Sequence, residues 1–343
     1  MKHMIGISVG SQNTVVGVLK GGNVDIILSE TSSRCVPTIA AYADRERLFG
    51  DGALSTIKSN YQRSIVYPTR WLGVQTDWHS ICSEENKYAT CQPQPDQHNK
   101  LGFEINYKNE QEIYSPESTV GLFFNKLKNN WKKAGYDTRE VVVSVPDYYT
   151  SYERKALLDS LHVADLQCTS LLNESSAIAI EYGLKRRNQF DEKTPRIVAF
   201  VDMGQSKTTI SFAAFTKNTQ KVIYVTSDRF CGARDFDYLL TQHFSEIFRK
   251  KYGSNPMNSA KCRLRMGDFI AKARKTLTVN KDVTLNIESL IDDDDLNATL
   301  NRDEFESIVT PVLEKFRGLL QNALTNAMAE ASKKNYLIKY NTF

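Results

Sequence analysis

No apolar run in the chain approaches the roughly 20 residues that a membrane-spanning helix needs. The N-terminus passes straight into strand-like sequence, Ile5-Gly6-Ile7-Ser8-Val9-Gly10, in place of a signal peptide. Both absences argue against a membrane partner and predict a cytoplasmic protein, with the nucleus as a further location. The 6 cysteines, at positions 35, 82, 91, 168, 231 and 262, include no Cys-x-x-Cys pair and no histidine spacing suited to zinc. Free thiols in a reducing compartment are the expectation. Neither sign of charge dominates: 44 basic and 40 acidic residues are intermixed for a net charge of +4, which leaves no basic face for nucleic acid. The basic clusters at 126–133 and 185–187 read as solvated surface. No repeat of solenoid period occurs. The four carboxylates at 292–295 lack the glycine spacing of a calcium loop, so metal binding is not expected there. The 41% hydrophobic and 24% charged fractions exclude disorder as the default, and 343 residues are too many for one small core.

What is present is a strand-and-turn unit used twice. Ile5 to Gly10 is one copy, and Ile197-Val198-Ala199-Phe200-Val201-Asp202-Met203-Gly204 is the other. Each reads as a strand, a small-residue turn and a second strand, at 15–19 after the first and 208–215 after the second. Glycine in such a turn lets backbone N–H groups approach an anion closely. Two of these hairpins facing each other across a cleft would grip the phosphate tail of one nucleotide.

Around each copy the sequence alternates strands with helices. Val141-Val142-Val143-Ser144-Val145, stopped by Pro146, predicts a strand buried on both faces of a mainly parallel sheet. Thr150-x-x-Glu153 is a capping box for the helix that follows. Ser115-Pro116 opens an earlier helix whose buried face is Val120, Phe123, Phe124, Leu127 and Trp131. In the second half a strand near 222–226 precedes a helix from about Asp235, with Phe236, Leu239, Leu240, Phe244, Ile247 and Phe248 as its stripe. Asn301-x-x-Glu304 caps a last helix containing Pro311, where a kink is expected. Gln92 to Asp96 reads as a loop.

In this order the pieces resemble the nucleotide-binding domain of the heat-shock protein 70 superfamily over residues 4 to about 325. The resemblance rests on 5–14, 68–73, 141–146 with Tyr148-Tyr149, Leu172-Asn173-Glu174, Tyr182-Gly183, Asp202-Met203-Gly204, 232–237 and 271–278. Pro195 to Asp202, Thr209 and Arg234-Asp235-Phe236-Asp237 look like the heat-shock protein 110 branch, the large co-chaperones. The resemblance implies an α/β, actin-like ATPase fold of two lobes, each a ribonuclease-H-like mixed sheet carrying an inserted subdomain. Lobe I would be 1–190, with core 1–39 and 115–190 and insertion 40–114. Lobe II would be 191–343, with core 191–228 and 300–343 and insertion 229–299.

It also implies ATP or ADP with magnesium as cofactors. Gly10, Ser11 and Gln12 match the first phosphate loop, and Gly204, Gln205 and Ser206 the second. Asp202 matches the magnesium position, with a plain strand-terminal aspartate as the alternative. Gly232 and Ala233 match the loop near the β-phosphate and ribose, and Arg274, Lys275 and Thr278 the helix that stacks on adenine, where a solvated helix is the alternative. Glu174 survives in its Asn173-Glu174 context as a catalytic residue beside Asp202.

The departures concern charge. Ser8 stands where the superfamily places an aspartate, Thr69 where it places the lysine that positions the attacking water, Thr209 where a second aspartate follows the loop, and Lys207 replaces a loop threonine. Removing one acid–base group costs on the order of 10² to 10⁴ in rate, so hydrolysis should be weak or absent. Backbone cradles do not depend on those side chains, so binding should persist. Nothing at 333–343 resembles the strand and glycine-rich turn that complete the family's second lobe, and a peptide-binding domain is missing, so the chain reads as a truncated or alternatively ended form. The reading that fits is an ATP-binding co-chaperone or nucleotide-exchange module for a partner heat-shock chaperone's nucleotide-binding domain, in stress response, with unfolded proteins as further partners. The alternatives are a nucleotide-free scaffold, an autonomous ATP-hydrolysing chaperone, and a small-molecule kinase of the same fold.

Overall fold

A computed structural model describes residues 3–96 and 98–333. Two compact units divide between Glu181 and Tyr182, earlier than the boundary at 190. Tyr182 belongs to the second unit because its ring packs on Phe190, Phe200 and Phe215 at centroid distances of 6.2, 5.2 and 5.3 Å.

Unit 1 opens with β1 (Ile5–Val9), β2 (Asn13–Lys20), β3 (Asn23–Ile26) and β4 (Val36–Pro37). There follow β5 (Ile39–Tyr42), β6 (Arg47–Phe49), α1 (Asp51–Thr56), β7 (Ser64–Val66), α2 (His79–Asn86), β8 (Gln94–Pro95), β9 (Leu101–Tyr107) and β10 (Glu110–Tyr114). Then come α3 (Pro116–Lys133), β11 (Glu140–Val145), α4 (Ser151–Val163), β12 (Gln167–Asn173) and α5 (Glu174–Arg186), whose residues from Tyr182 on fall in unit 2. The main sheet has the order β12-β11-β1-β2-β3, with β4 on β2. β1 is antiparallel to β2 and parallel to β11, with Ile5 opposite both Val18 and Val141.

Period-two alternation sends Ile5, Ile7 and Val9 of β1 and Val141, Val143 and Val145 of β11 to one face, where all six are buried with Phe123, Phe124, Leu127 and Trp131 of α3 and Leu157 and Leu161 of α4. On the opposite face Gly6 and Ser8 are exposed and Val142 and Ser144 only half-buried. Among the described residues the β-branched run is therefore buried on one face and only half-buried on the other, short of the burial on both faces that the sequence predicts. Both helix starts are as the sequence writes them. Ser115 Oγ accepts from Ser118 N–H at 3.0 Å, and Thr150 and Glu153 cap each other's backbone. Lys128 corrects the solvated reading of its cluster, because it is buried and its Nζ donates to the Ala164 carbonyl at 2.6 Å. The Gln92–Asp96 loop holds one short pairing, Gln94 and Pro95 against β9.

Unit 2 contains β13 (Arg196–Met203), β14 (Thr208–Phe215), β15 (Gln220–Asp228), α6 (Ala233–Tyr252), α7 (Ala260–Thr276), β16 (Asp282–Ile291), β17 (Asp294–Asn301) and α8 (Arg302–Lys333), which runs through Pro311 as one helix. β14 is the central strand of an antiparallel β13-β14-β15 sheet and is buried along its whole length. Ala323 and Ala327 of α8 pack on Ile210 and Phe212 of β14, while α6, α7 and the β16–β17 hairpin share a second cluster built on Phe244, Phe248, Met266, Ile270, Ile287 and Leu300. Among the described residues β13 pairs only with β14, whereas β1 has a neighbour on each side. The expectation about 333–343 falls, apart from Lys333, outside the described residues.

No helix of the described residues is long and apolar enough to cross a membrane. All six cysteines are free. Burial pushes the Cys91 thiol up to about 11 and raises those of Cys82, Cys168 and Cys231, so these stay protonated near neutral pH.

Gly121 lies where α3 crosses α4: a Cβ there would sit 2.6 Å from Val163 and 2.8 Å from the Ser160 carbonyl. Gly121→Val should destabilise unit 1 by about 1–3 kcal/mol through overpacking. Trp71, Trp78 and Trp131 all lie in unit 1, so the denaturant midpoint followed by tryptophan fluorescence reads that unit alone.

Candidate functional site

The two turns close in the same way. Gly10 N–H donates to the Asn13 carbonyl at 3.1 Å around Ser11 and Gln12, and Gly204 N–H donates to the Lys207 carbonyl at 2.9 Å around Gln205 and Ser206. Each is a two-residue hairpin loop. Neither glycine has a positive φ. Gly10 is required by close approach instead, because a Cβ would stand 2.4 Å from the Asn13 carbonyl oxygen. Gly204 has more room, its Cβ meeting Lys207 at 3.7 Å.

In unit 2 the turn is docked on the N-terminus of α6. Ala233 N–H donates to the Gly204 carbonyl at 3.0 Å and Arg234 N–H to the Gln205 carbonyl at 2.8 Å. A side chain at Gly232 would lie 2.6 Å from the Gln205 oxygen and 2.7 Å from Lys207 N. The Gly232 N–H is held by Asp235 Oδ2 at 2.7 Å. The positive end of a 20-residue helix thus stands directly behind the turn at one corner: its first N–H groups are taken by the turn's carbonyls and by Asp235, and its dipole favours an anion held by the turn.

Beside that corner lies a pocket of about 450 Å³ lined by Met203, Ala233, Phe236, Arg274, Thr278 and Phe305, among others. Its size and its flat aromatic and guanidinium walls suit a purine base. Arg274 is fixed by a two-pronged pair with Asp237, Nε to Oδ1 at 2.8 Å and Nη2 to Oδ2 at 3.3 Å. Burial pushes the Asp237 carboxyl up, and the Arg274 guanidinium pulls the other way. Thr278 Oγ1 donates to the Lys275 carbonyl at 2.6 Å, and exposed Lys275 is not a lining residue. The structure therefore gathers Gly204, Gln205, Ser206, Gly232, Ala233, Arg274 and Thr278 in one unit. It adds Phe236 and Phe305, to which the sequence analysis assigns no contact with a nucleotide. It also adds Arg302, whose Nη2 ties the start of α8 to the Leu277 carbonyl at 2.7 Å and which no sequence signal marks.

The positions associated with hydrolysis are neutral or engaged. Ser8 lies exposed on β1 opposite Ser144. Thr69 is 5% exposed, and its carbonyl accepts from the Tyr149 hydroxyl at 3.0 Å. Arg70 does not substitute for a lysine at 69. Its guanidinium is buried on Glu85, with Nε 2.9 Å from Oε1 and Nη2 in a closer contact, and Nη1 donates to the Tyr148 hydroxyl. Glu174 is half-buried at the start of α5, next to Ser175, whose N–H donates to Asp147 Oδ2 at 3.1 Å. Asp202 at the end of β13 is in unit 2, and the Lys207 ammonium stands 3.5 Å from its Oδ2. Thr209 is buried with its Oγ1 3.0 Å from Ser227 Oγ. Among the described residues no group of three or more His, Cys, Asp or Glu is placed to hold a metal ion. At the acidic run Asp295 Oδ1 accepts from Ser289 N–H at 2.7 Å and serves the β16–β17 turn.

Arg70→Met should cost about 3–5 kcal/mol by leaving Glu85 buried without a counter-charge. Arg70→Met combined with Glu85→Leu should recover most of that loss, both read as denaturant midpoints.

Comparison with known proteins places these features in a family. The model of the family described as "Hsp70 protein" matches residues 4–338. "Heat shock protein 88" of Dictyostelium discoideum is 30% identical over 326 residues, covering 95% of this chain and 42% of that protein. A heat shock protein homolog of Saccharomyces cerevisiae is 29% identical over 342 residues, covering 98% of this chain and 49% of that protein. "Heat shock protein hsp88" of Neurospora crassa is 31% identical over 326 residues, covering 94% of this chain and 46% of that protein. The chain thus spans less than half the length of these relatives. With its duplicated hairpin, its mixed α/β architecture and a family match over nearly all of its length, the chain belongs to the Hsp70 family, with the actin-like ATPase fold of that family.

Proposed function

We propose that this chain is the nucleotide-binding module of a large co-chaperone, which binds ATP or ADP, hydrolyses ATP slowly or not at all, and promotes nucleotide exchange on a partner heat-shock chaperone. The observation that carries the reading is the corner in unit 2, where the Gly204–Lys207 turn is bonded to the start of α6 beside the pocket of Arg274 and Phe236. Backbone amides serve the phosphates and the pocket serves the base. Gly10, Ser11 and Gln12 carry the matching role in unit 1.

Slow hydrolysis follows from the charges. Phosphoryl transfer is mostly positioning and charge compensation, and Ser8, Thr69 and Thr209 supply neither a carboxylate nor a cation. Glu174 and Asp202 are the remaining candidate catalytic groups. A ligand favours whichever conformation it binds better, by its difference in affinity. A bound nucleotide that is not consumed keeps that bias in place, which suits a module whose shape is recognised by a partner, in the cytoplasm or nucleus. The same neutral positions disfavour an autonomous ATP-hydrolysing chaperone. One observation favours a second reading, a nucleotide-free scaffold: β13, which carries Asp202, has a strand neighbour on one side only among the described residues.

Addition of ATP or ADP should raise the melting temperature as RT ln(1 + [L]/Kd), about 2.7 kcal/mol at a hundredfold excess over Kd. No shift would favour the scaffold. The chain should also speed release of labelled ADP from a purified partner chaperone in stopped-flow fluorescence, and a rate indifferent to the chain would remove the exchange role.

A further inference from the structure

The family resemblance implies a magnesium ion at Asp202, and the residues there do not fit one. Magnesium binds through one or two carboxylates together with waters and substrate phosphates. In unit 2 the Asp202 carboxylate already has the Lys207 ammonium 3.5 Å from its Oδ2. The Lys207 side chain is only 13% exposed, against 43% for Asp202, so the ammonium is the more enclosed partner. A hydrated divalent ion joining this carboxylate would meet that fixed positive charge at close range, and repulsion between them would offset much of its attraction to Asp202. The nearby position able to supply a second charge, Thr209, is neutral and has its hydroxyl on Ser227.

We infer that Lys207 is a built-in counter-cation for the phosphate chain, so that nucleoside di- and triphosphates bind at the unit 2 turn as metal-free anions. Three features place the ammonium for this role. Lys207 is the closing residue of the turn, its carbonyl accepting from Gly204 N–H at 2.9 Å, so its backbone is fixed. Its main-chain nitrogen packs against Gly232, 2.7 Å from where a Cβ would be, which puts the residue beside the start of α6. Asp202 holds the ammonium on the strand side and acts as a positioning residue. Lysine is a compact point charge able to share its three protons between a carboxylate and a phosphate oxygen. The turn, the helix dipole and one ammonium together take over the charge compensation that a metal would supply.

The inference rests on nucleotide binding as proposed above, and calorimetry separates the two. ATP and ADP are titrated into the purified chain with magnesium present and, separately, with excess EDTA. The expected result is a Kd in EDTA within about threefold of that in magnesium, a difference under about 0.7 kcal/mol. Lys207→Thr removes the ammonium and releases Asp202. It should weaken binding in EDTA at least about tenfold and make it recover on addition of magnesium, while the ligand-free melting temperature checks that the variant is folded. Binding by the parent chain in magnesium but not in EDTA overturns the inference and leaves nucleotide binding standing. Lys207→Thr binding in EDTA as well as the parent also overturns it. Failure to bind under either condition overturns both.

Discussion

Backbone hydrogen bonds between the Gly204–Lys207 turn and the first residues of α6 are the constraint on which the candidate site depends. Two N–H to carbonyl bonds of 3.0 and 2.8 Å fasten a strand-end turn to a helix N-terminus, and only glycine at 232 leaves room for them. Once that corner is fixed, Asp202, Lys207 and the pocket of Phe236 and Arg274 follow from it, because each is within a few residues of the turn or on a helix packed in the same core. Main-chain geometry of this kind tolerates changes in neighbouring side chains. A chain can keep its phosphate-binding shape while the residues that would split the phosphate are exchanged.

The exchanges share one direction. A carboxylate is absent at Ser8 and Thr209 and a cation at Thr69, yet local charge is not simply deleted. Arg70 is drawn into a buried pair with Glu85, and Lys207 into a pair with Asp202. The Arg70–Glu85 pair is buried and serves the packing of unit 1, whereas the Lys207–Asp202 pair is half open, with Asp202 43% exposed.

Much of the local architecture was legible in the sequence because it is written within a few residues. The Thr150–Glu153 box, the Ser115 cap and the Asn301 cap of α8 form as read, and strands form at 5–9 and 196–203, although the second has no buried residue. Contacts between distant residues were not. Lys128 looked like solvated surface, yet it reaches Ala164 across a helix crossing made possible by Gly121. Val142 and Ser144 looked doubly buried, but burial depends on which helices cover which face, and alternation within one strand does not say that. At the site, the motif residues were legible through family resemblance. Arg302 was not, because its role is to join the end of α7 to α8 through carbonyls that carry no sequence signature.

The proposed function stands on phosphate being held at the Gly204–Lys207 turn, with the dipole of α6 behind it. Amide hydrogen exchange followed by mass spectrometry, with and without ADP, tests it most directly over 205–207. The account predicts that ADP slows exchange at least about tenfold in peptides covering those residues. ADP that raises the melting temperature while leaving exchange there unchanged would contradict it.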